Sequence, residues 1–218
     1  MSVVCVTGTD TEVGKTLVTA ALGAALVAQG RSVVAIKPVE SGVALDGIED
    51  GALLAEATGQ RAPLQALTRL QTPVAPPLAA DRDGVRLEPA RWGAVIADHA
   101  RACDVTLVEG AGGLLSPLTW TKSLRDLART WQATAIVVGL DKLGTLNHTL
   151  MTLELLEAAG VRPLGVVLNT VGQDNSTGAN AAALKRVRPF LEVVTVPHVA
   201  SWRDAIPVMA PVTQWLPR

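Results

Sequence analysis

Short, almost wholly apolar runs recur along this chain with helix-forming stretches between them, and that alternation narrows the possible folds more than any other feature. Val3–Thr7, Val33–Ile36, Val105–Val108, Ala135–Val138, Leu164–Leu168 and Val193–Val196 are short, apolar and mostly rich in β-branched residues, as strands buried on both faces are. Between them Thr16–Gln29, Asp50–Thr58, Pro89–Arg101, Ser123–Trp131, Thr145–Ala159 and Ala179–Val187 read as helices. Such alternation implies right-handed crossovers and a mainly parallel sheet covered on both faces, a three-layer α/β/α sandwich. At 218 residues the chain is expected to form one domain, 1–218. The Pro/Ala-rich stretch Thr72–Ala80 is expected to be a surface connection, either a spacer or part of a substrate wall.

Five Trp, one Phe and no Tyr leave the core to aliphatic side chains, and a 49% hydrophobic content excludes disorder. Glycine, proline or charge interrupts each apolar run well before bilayer length, so no membrane partner is expected. Formal net charge is −1 and no basic stripe stands out, which argues against nucleic acid. The sequence opens directly on a strand, without a basic and apolar leader, so the expected location is the cytoplasm. Cys5 and Cys103 lack metal-type spacing and read as small buried thiols.

Ligands of such sheets gather at the carboxyl ends of the strands. The polar and glycine-rich clusters of this chain follow the apolar runs, at Gly8–Thr16, Lys37–Gly42, Glu109–Gly113, Asp141–His148, Asn169–Gly172 and Pro197–Val199. Gly8–Thr16 reads Gly-Thr-Asp-Thr-Glu-Val-Gly-Lys-Thr between a strand and a helix, the setting of a phosphate-binding loop. Successive backbone N–H groups and the helix's positive end face polyphosphate there, while Lys15 adds a point charge and Thr16 a hydroxyl for Mg²⁺. The first glycine stands one residue early, with Thr9 at the usual position.

Lys37 ends the second strand beside Pro38, where an ammonium can neutralise charge developing on a transferring phosphoryl group. Glu109 ends the third and leads into Gly110-Ala111-Gly112-Gly113, a carboxylate placed for Mg²⁺ before glycines that allow close backbone approach. A second metal carboxylate can come from Asp46, Glu49 or Asp50, and Asp50 can equally cap the following helix. Asn169-Thr170 and Pro197-His198-Val199 lie where a base-recognition wall can form, the Asn169 amide being able both to donate to and to accept from an adenine edge.

Taken together, Gly8–Thr16, Lys37–Gly42, Glu109–Gly113 and Leu143-Gly144-Thr145-Leu146-Asn147-His148 closely resemble the dethiobiotin synthetases, over nearly the whole chain. The resemblance implies an ATP- and Mg²⁺-dependent cyclo-ligase of biotin synthesis on a P-loop NTPase-like fold. It implies that 7,8-diaminononanoate takes up CO₂ (or bicarbonate) as a carbamate, that ATP phosphorylates this to a carbamic-phosphoric anhydride, and that the second amine closes the ureido ring. By the same resemblance Glu12, Val13, Gly14, Lys15, Thr16 and Leu17 would cradle the phosphates. Lys37 would be the central catalytic cation, with Lys15 and Thr11 beside it, and Thr11, Lys37 and Ser41 would hold substrate. Thr16, Asp50 and Glu109 would bind the metal, Gly110, Ala111 and Gly112 would line the nucleotide and substrate region, and Asn169, Thr170, Pro197, His198 and Val199 would face adenine. A homodimer is implied, in which Leu143, Gly144 and Asn147 help the partner subunit hold the substrate's carboxylate tail.

The loop from Gly42 to Asp50 is short, and from Ser201 the match fades, with Trp202-Arg203-Asp204 in place of a more acidic loop. Two rival readings differ at identifiable places. A cobyrinic-acid-type amide ligase usually carries a glutamine-handling domain that does not fit this length, and a partitioning or positioning ATPase switch typically has a lysine where this chain has Asp10.

Overall fold

The computed structural model describes residues 2–43 and 47–217. In chain order the elements are β1 (Ser2–Gly8), α1 (Lys15–Ala28), β2 (Val33–Ile36), β3 (Val39–Ser41), α2 (Asp50–Thr58), β4 (Thr68–Leu70), α3 (Pro76–Asp83) and α4 (Pro89–Ala102). There follow β5 (Val105–Gly113), β6 (Pro117–Thr119), β7 (Lys122–Ser123), α5 (Leu124–Thr130), β8 (Thr134–Leu140), α6 (Thr145–Ala158), β9 (Pro163–Asn169), α7 (Asn180–Val187) and β10 (Val193–Val196). The chain closes with α8 (Trp202–Ala205), a 3₁₀ turn (Ile206–Met209) and α9 (Ala210–Thr213).

The central sheet runs β10-β9-β8-β1-β5-β2, with every neighbouring pair parallel. Alternation along each strand sends side chains to two separate cores, as a period of two requires. Val4, Val6, Ile136 and Val138 meet Leu22 and Leu26 of α1, Leu54 of α2 and Met209 and Val212 near the C-terminus. Cys5, Val108, Ala135 and Val137 meet Trp92 and Ile96 of α4, Leu127 of α5 and Leu153 and Leu156 of α6. The result is the α/β/α sandwich that the pattern of apolar runs demanded. Cys5 and Cys103 are free thiols, Cys5 buried and pushed up to about 12 by desolvation.

The Thr72–Ala80 stretch departs from the expected plain connection. Its second half starts α3, with Pro76 and Pro77 in the first turn, where a missing N–H breaks no helix bond, and Pro76, Pro77, Ala79 and Ala80 are buried. Its first half packs against the end of the Lys37–Gly42 segment, where a Cβ added at Gly42 would lie 3.1 Å from Pro73 Cβ.

Topology decides where ligands can bind. From β1 the chain moves one way to β2 and returns through β5, then crosses to β8 on the other side of β1. The carboxyl ends of β1, β5 and β2 therefore sit side by side at the point where strand order reverses, the favoured crevice of an open α/β sheet.

Candidate active site

The phosphate loop leaves β1 and is shaped by close contacts. A Cβ on Gly8 would fall 2.6 Å from the Asp10 carbonyl oxygen, 2.9 Å from Val13 Cγ2 and 3.1 Å from Lys15 Nζ, so the early glycine lets the loop fold back over its own strand. Thr9, just past β1, is tied to the neighbouring strand, its N–H donating to the Val138 carbonyl at 2.8 Å. Glu12 has φ of +55° and Gly14 of +87°. A non-glycine residue held in the left-handed region is costly and persists at sites where surrounding structure fixes it.

Asn169, at the end of β9, donates its Nδ2 to the Val13 carbonyl at 2.7 Å and, more weakly, to that of Gly14 at 3.4 Å. Its Oδ1 is buried with no hydrogen-bond partner. The sequence expectation of an amide free both to donate and to accept toward a base is thereby narrowed, since the donor side is committed to the loop and the acceptor is buried without a partner.

Lys37 follows β2, and Glu109 lies next to it on β5 because Ile36 pairs with Val108. The backbone around Lys37 is fixed by Leu67 N–H donating to the Lys37 carbonyl and Thr68 N–H to the Pro38 carbonyl. Lys37 Nζ sits 2.6 Å from Glu109 Oε1 and 2.8 Å from Asp50 Oδ2. The Thr16 hydroxyl donates to Glu109 Oε1 at 2.8 Å. Lys37 and Glu109 are buried, and Glu109 Oε2 has no hydrogen-bond partner.

Burial opposes the Lys37 charge, but Glu109 and Asp50 outweigh it and hold the ammonium well above the ordinary lysine range. Burial likewise opposes ionisation of Asp50, and the Lys37 charge with the hydrogen bond from Lys37 overrides it, leaving Asp50 below the usual carboxylate range. Lys15 goes the other way. Burial, and then the nearby Lys37 charge, lower its pKa, and its Nζ donates to the Asp10 carbonyl at 3.1 Å.

A cavity of about 500 Å³ joins these groups, lined by Thr11, Glu12, Gly14, Lys15, Thr16, Lys37, Glu40, Ser41, Asp50, Glu109, Ala111 and Gly112. Most of the residues carried over by resemblance for phosphate, metal and substrate thus meet in one place. Val13 and Leu17 belong to the loop and first turn but lie outside the lining, as does Gly110, whose missing Cβ makes room for Leu124 at 2.5 Å. Thr170 donates its N–H to the Val196 carbonyl, and Pro197, His198 and the partly buried Val199 follow β10, outside this cavity. Leu143, Gly144 and Asn147 are exposed at the start of α6, where the Leu143 N–H donates to Asp174 Oδ2 at 2.7 Å.

Among the three candidates for the second metal carboxylate, Glu49 is turned away and paired with Arg69, while Asp50 faces the cavity. Asp46 lies outside the described residues. Asp50, Glu109 and Thr16 fit a small hard cation: two carboxylates and a hydroxyl converge, and a buried Glu109 oxygen lacks any partner.

Glu40 was not legible as a site residue. Its Oε1 accepts the Asp50 N–H at 2.7 Å and its Oε2 the Gly51 N–H at 3.0 Å, so from β3 it caps α2 and fixes Asp50. Desolvation raises its pKa despite those hydrogen bonds. Only its place in the Lys-Pro-Val-Glu-Ser-Gly run hinted at a role.

A family model described as an AAA domain matches residues 2–212. The ATP-dependent dethiobiotin synthetase BioD of Rhodococcus erythropolis is 43% identical over 179 residues, 80% of this chain and 78% of that protein. Its namesake in Rhodococcus jostii is 45% identical over 78% of this chain and 74% of that protein, and that of Aquifex aeolicus 36% identical over 85% and 86%. Among solved structures, the septum site-determining protein MinD complexed with Mg-ADP from Pyrococcus horikoshii gives a TM-score of 0.59 at 20% identity, over 95% of this chain and 87% of that one. At that identity the likeness concerns the fold alone. With the loop, the Lys37–Glu109 pair and these relatives in view, the chain belongs to the ATP-dependent dethiobiotin synthetase family of ligases.

Proposed function

We propose that this chain makes dethiobiotin from 7,8-diaminononanoate, CO₂ and ATP, with Mg²⁺, releasing ADP and phosphate. The observation that carries the reading is the buried lysine beside two carboxylates in the same cavity as the phosphate loop. One substrate amine adds to CO₂ and loses a proton, giving a carbamate. A carbamate oxygen then takes the γ-phosphoryl group as its bond to ADP breaks, and the second amine displaces phosphate from the carbonyl carbon, losing a proton as the ring closes.

Lys15 and the backbone of residues 12–17 hold the transferring phosphates, and Lys37 offsets negative charge shared by carbamate and phosphoryl group. Thr11 and Ser41 hold the substrate on the other side of Lys37. Mg²⁺, held by Thr16, Asp50 and Glu109, would neutralise charge on the phosphate oxygens. Asn169 Oδ1 favours a base with an exocyclic amino group, with Thr170, Pro197, His198 and Val199 completing the base wall. Leu143, Gly144 and Asn147 are exposed rather than in this chain's cavity, which suits a homodimer whose partner site they complete. The cytoplasm is the proposed location.

Purified protein supplied with ¹³C-bicarbonate, ATP, Mg²⁺ and the diamine is expected to yield dethiobiotin carrying the label in its ureido carbon, read by mass spectrometry. Product without label, or none at all, contradicts the reading.

A further inference from the structure

The two carboxylates proposed as metal ligands already share a cation of the chain itself, which balances one of their two charges. Lys37 Nζ contacts Glu109 Oε1 at 2.6 Å and Asp50 Oδ2 at 2.8 Å, and its side chain is 5% exposed. Glu109 is fully buried, so its charge without a counter-ion would be strongly destabilising. Thr16 directs its hydroxyl to the same Glu109 oxygen. Mg²⁺ would draw on the same two carboxylates that the ammonium now bridges, and on the same hydroxyl.

We infer that Lys37 and the divalent cation exclude one another at Asp50 and Glu109, so that arrival of the metal with nucleotide drives Lys37 off the carboxylates and toward the substrate. The inference rests on the proposed metal ligands. Charge supports it for the metal alone: the ammonium balances one of the pair's two negative charges, and a dication added beside it without nucleotide would meet the Lys37 and Lys15 charges together. Lys37 can move because a four-carbon stem carries its charge, and Thr11, Ser41 and Gly112 line the same cavity within which it swings. The lysine then serves in turn as a counter-ion for the nucleotide-free site and as the cation for phosphoryl transfer. Metal–nucleotide binding must precede productive capture of the carbamate.

The test is Mn²⁺ binding followed by electron paramagnetic resonance, with wild type and Lys37→Met, in the absence of nucleotide. Wild type is expected to bind Mn²⁺ weakly alone and tightly with ADP, whereas Lys37→Met binds Mn²⁺ alone about tenfold or more tighter than wild type, since the competing charge is gone. If wild type binds Mn²⁺ with ADP but Lys37→Met shows no gain without it, the exchange is overturned and the metal site stands. If wild type fails to bind Mn²⁺ even with ADP, the metal-site reading fails first.

A measurement on wild type removes dependence on the variant's folding. Nitrogen-15 NMR of the lysine amines, with Lys37 assigned through Lys37→Arg, should show its resonance shift when Mg²⁺ and ADP are added together but not with ADP alone. A Lys37 signal unmoved by Mg²⁺ and ADP together overturns the exchange.

Discussion

The phosphate side of the site and the start of α6 are built in opposite ways. Around the loop, Lys37, Asp50 and Glu109 are wired to one another through buried or half-buried side chains, and Lys15 is held by the Asp10 carbonyl, all within this one chain. At Leu143, Gly144 and Asn147 the surface is exposed, Leu143 being 80% accessible, and the geometry depends on a backbone contact to Asp174. The phosphate side is thus organised within one subunit, whereas the start of α6 presents an exposed surface, where a partner subunit is proposed to add its site.

The sharpest way to break this contrast is Lys37→Ala. It should lower kcat by about 10²–10³-fold while changing nucleotide affinity far less, because the lost interaction belongs to the transition state. Comparable losses in ADP affinity and kcat would mean that Lys37 is only a nucleotide-binding residue.

Gly14→Ala comes next, since it meets both a φ of +87° and a Cβ position 2.3 Å from Asn169 Nδ2. Strain of about 1–3 kcal/mol should appear as a roughly ten- to hundredfold weaker nucleotide affinity in calorimetry, with the sheet intact by circular dichroism. Unchanged affinity would show that Asn169 does not clamp the loop.

Glu40→Gln sharpens the picture of a side-chain-wired half. Loss of a charged acceptor for two N–H groups at the start of α2 should lower stability by about 1–2 kcal/mol in urea unfolding and reduce turnover severalfold as Asp50 loosens. A stable variant of reduced turnover would assign Glu40 to substrate instead.

Asn147→Ala should have the smallest effect on folding, within about 0.5 kcal/mol as for other exposed positions, yet raise KM for the diamine while leaving KM for ATP alone. Equal changes in both constants would erase the division between the two regions.

How much of this was readable follows from the range of the interactions involved. β2, α2 and β10 occupy the spans expected for them, because continuous apolar runs and a helix-starting acid are local signals. The β3–β4 pair, the β6–β7 hairpin and the short helices after residue 201 were not anticipated; they are only two to four residues long, too short for a periodic signal. In the site, Lys37 and Glu109 were legible as strand-end charges, but their direct pairing depends on β2 and β5 being neighbours. Glu49 and Asp50 looked alike in sequence and were separated only by Arg69, which arrives from β4. The donation of Asn169 to the Val13 carbonyl spans most of the chain and leaves no local trace.

The claim that the phosphate side of the site serves a substrate-dependent ligase rather than a free-running ATPase is tested most directly by phosphate release with and without the diamine, at fixed ATP, Mg²⁺ and bicarbonate. The account predicts release that depends on 7,8-diaminononanoate and matches dethiobiotin formed one for one. Release at the same rate without the diamine, with no ureido product, would contradict it and favour a nucleotide switch.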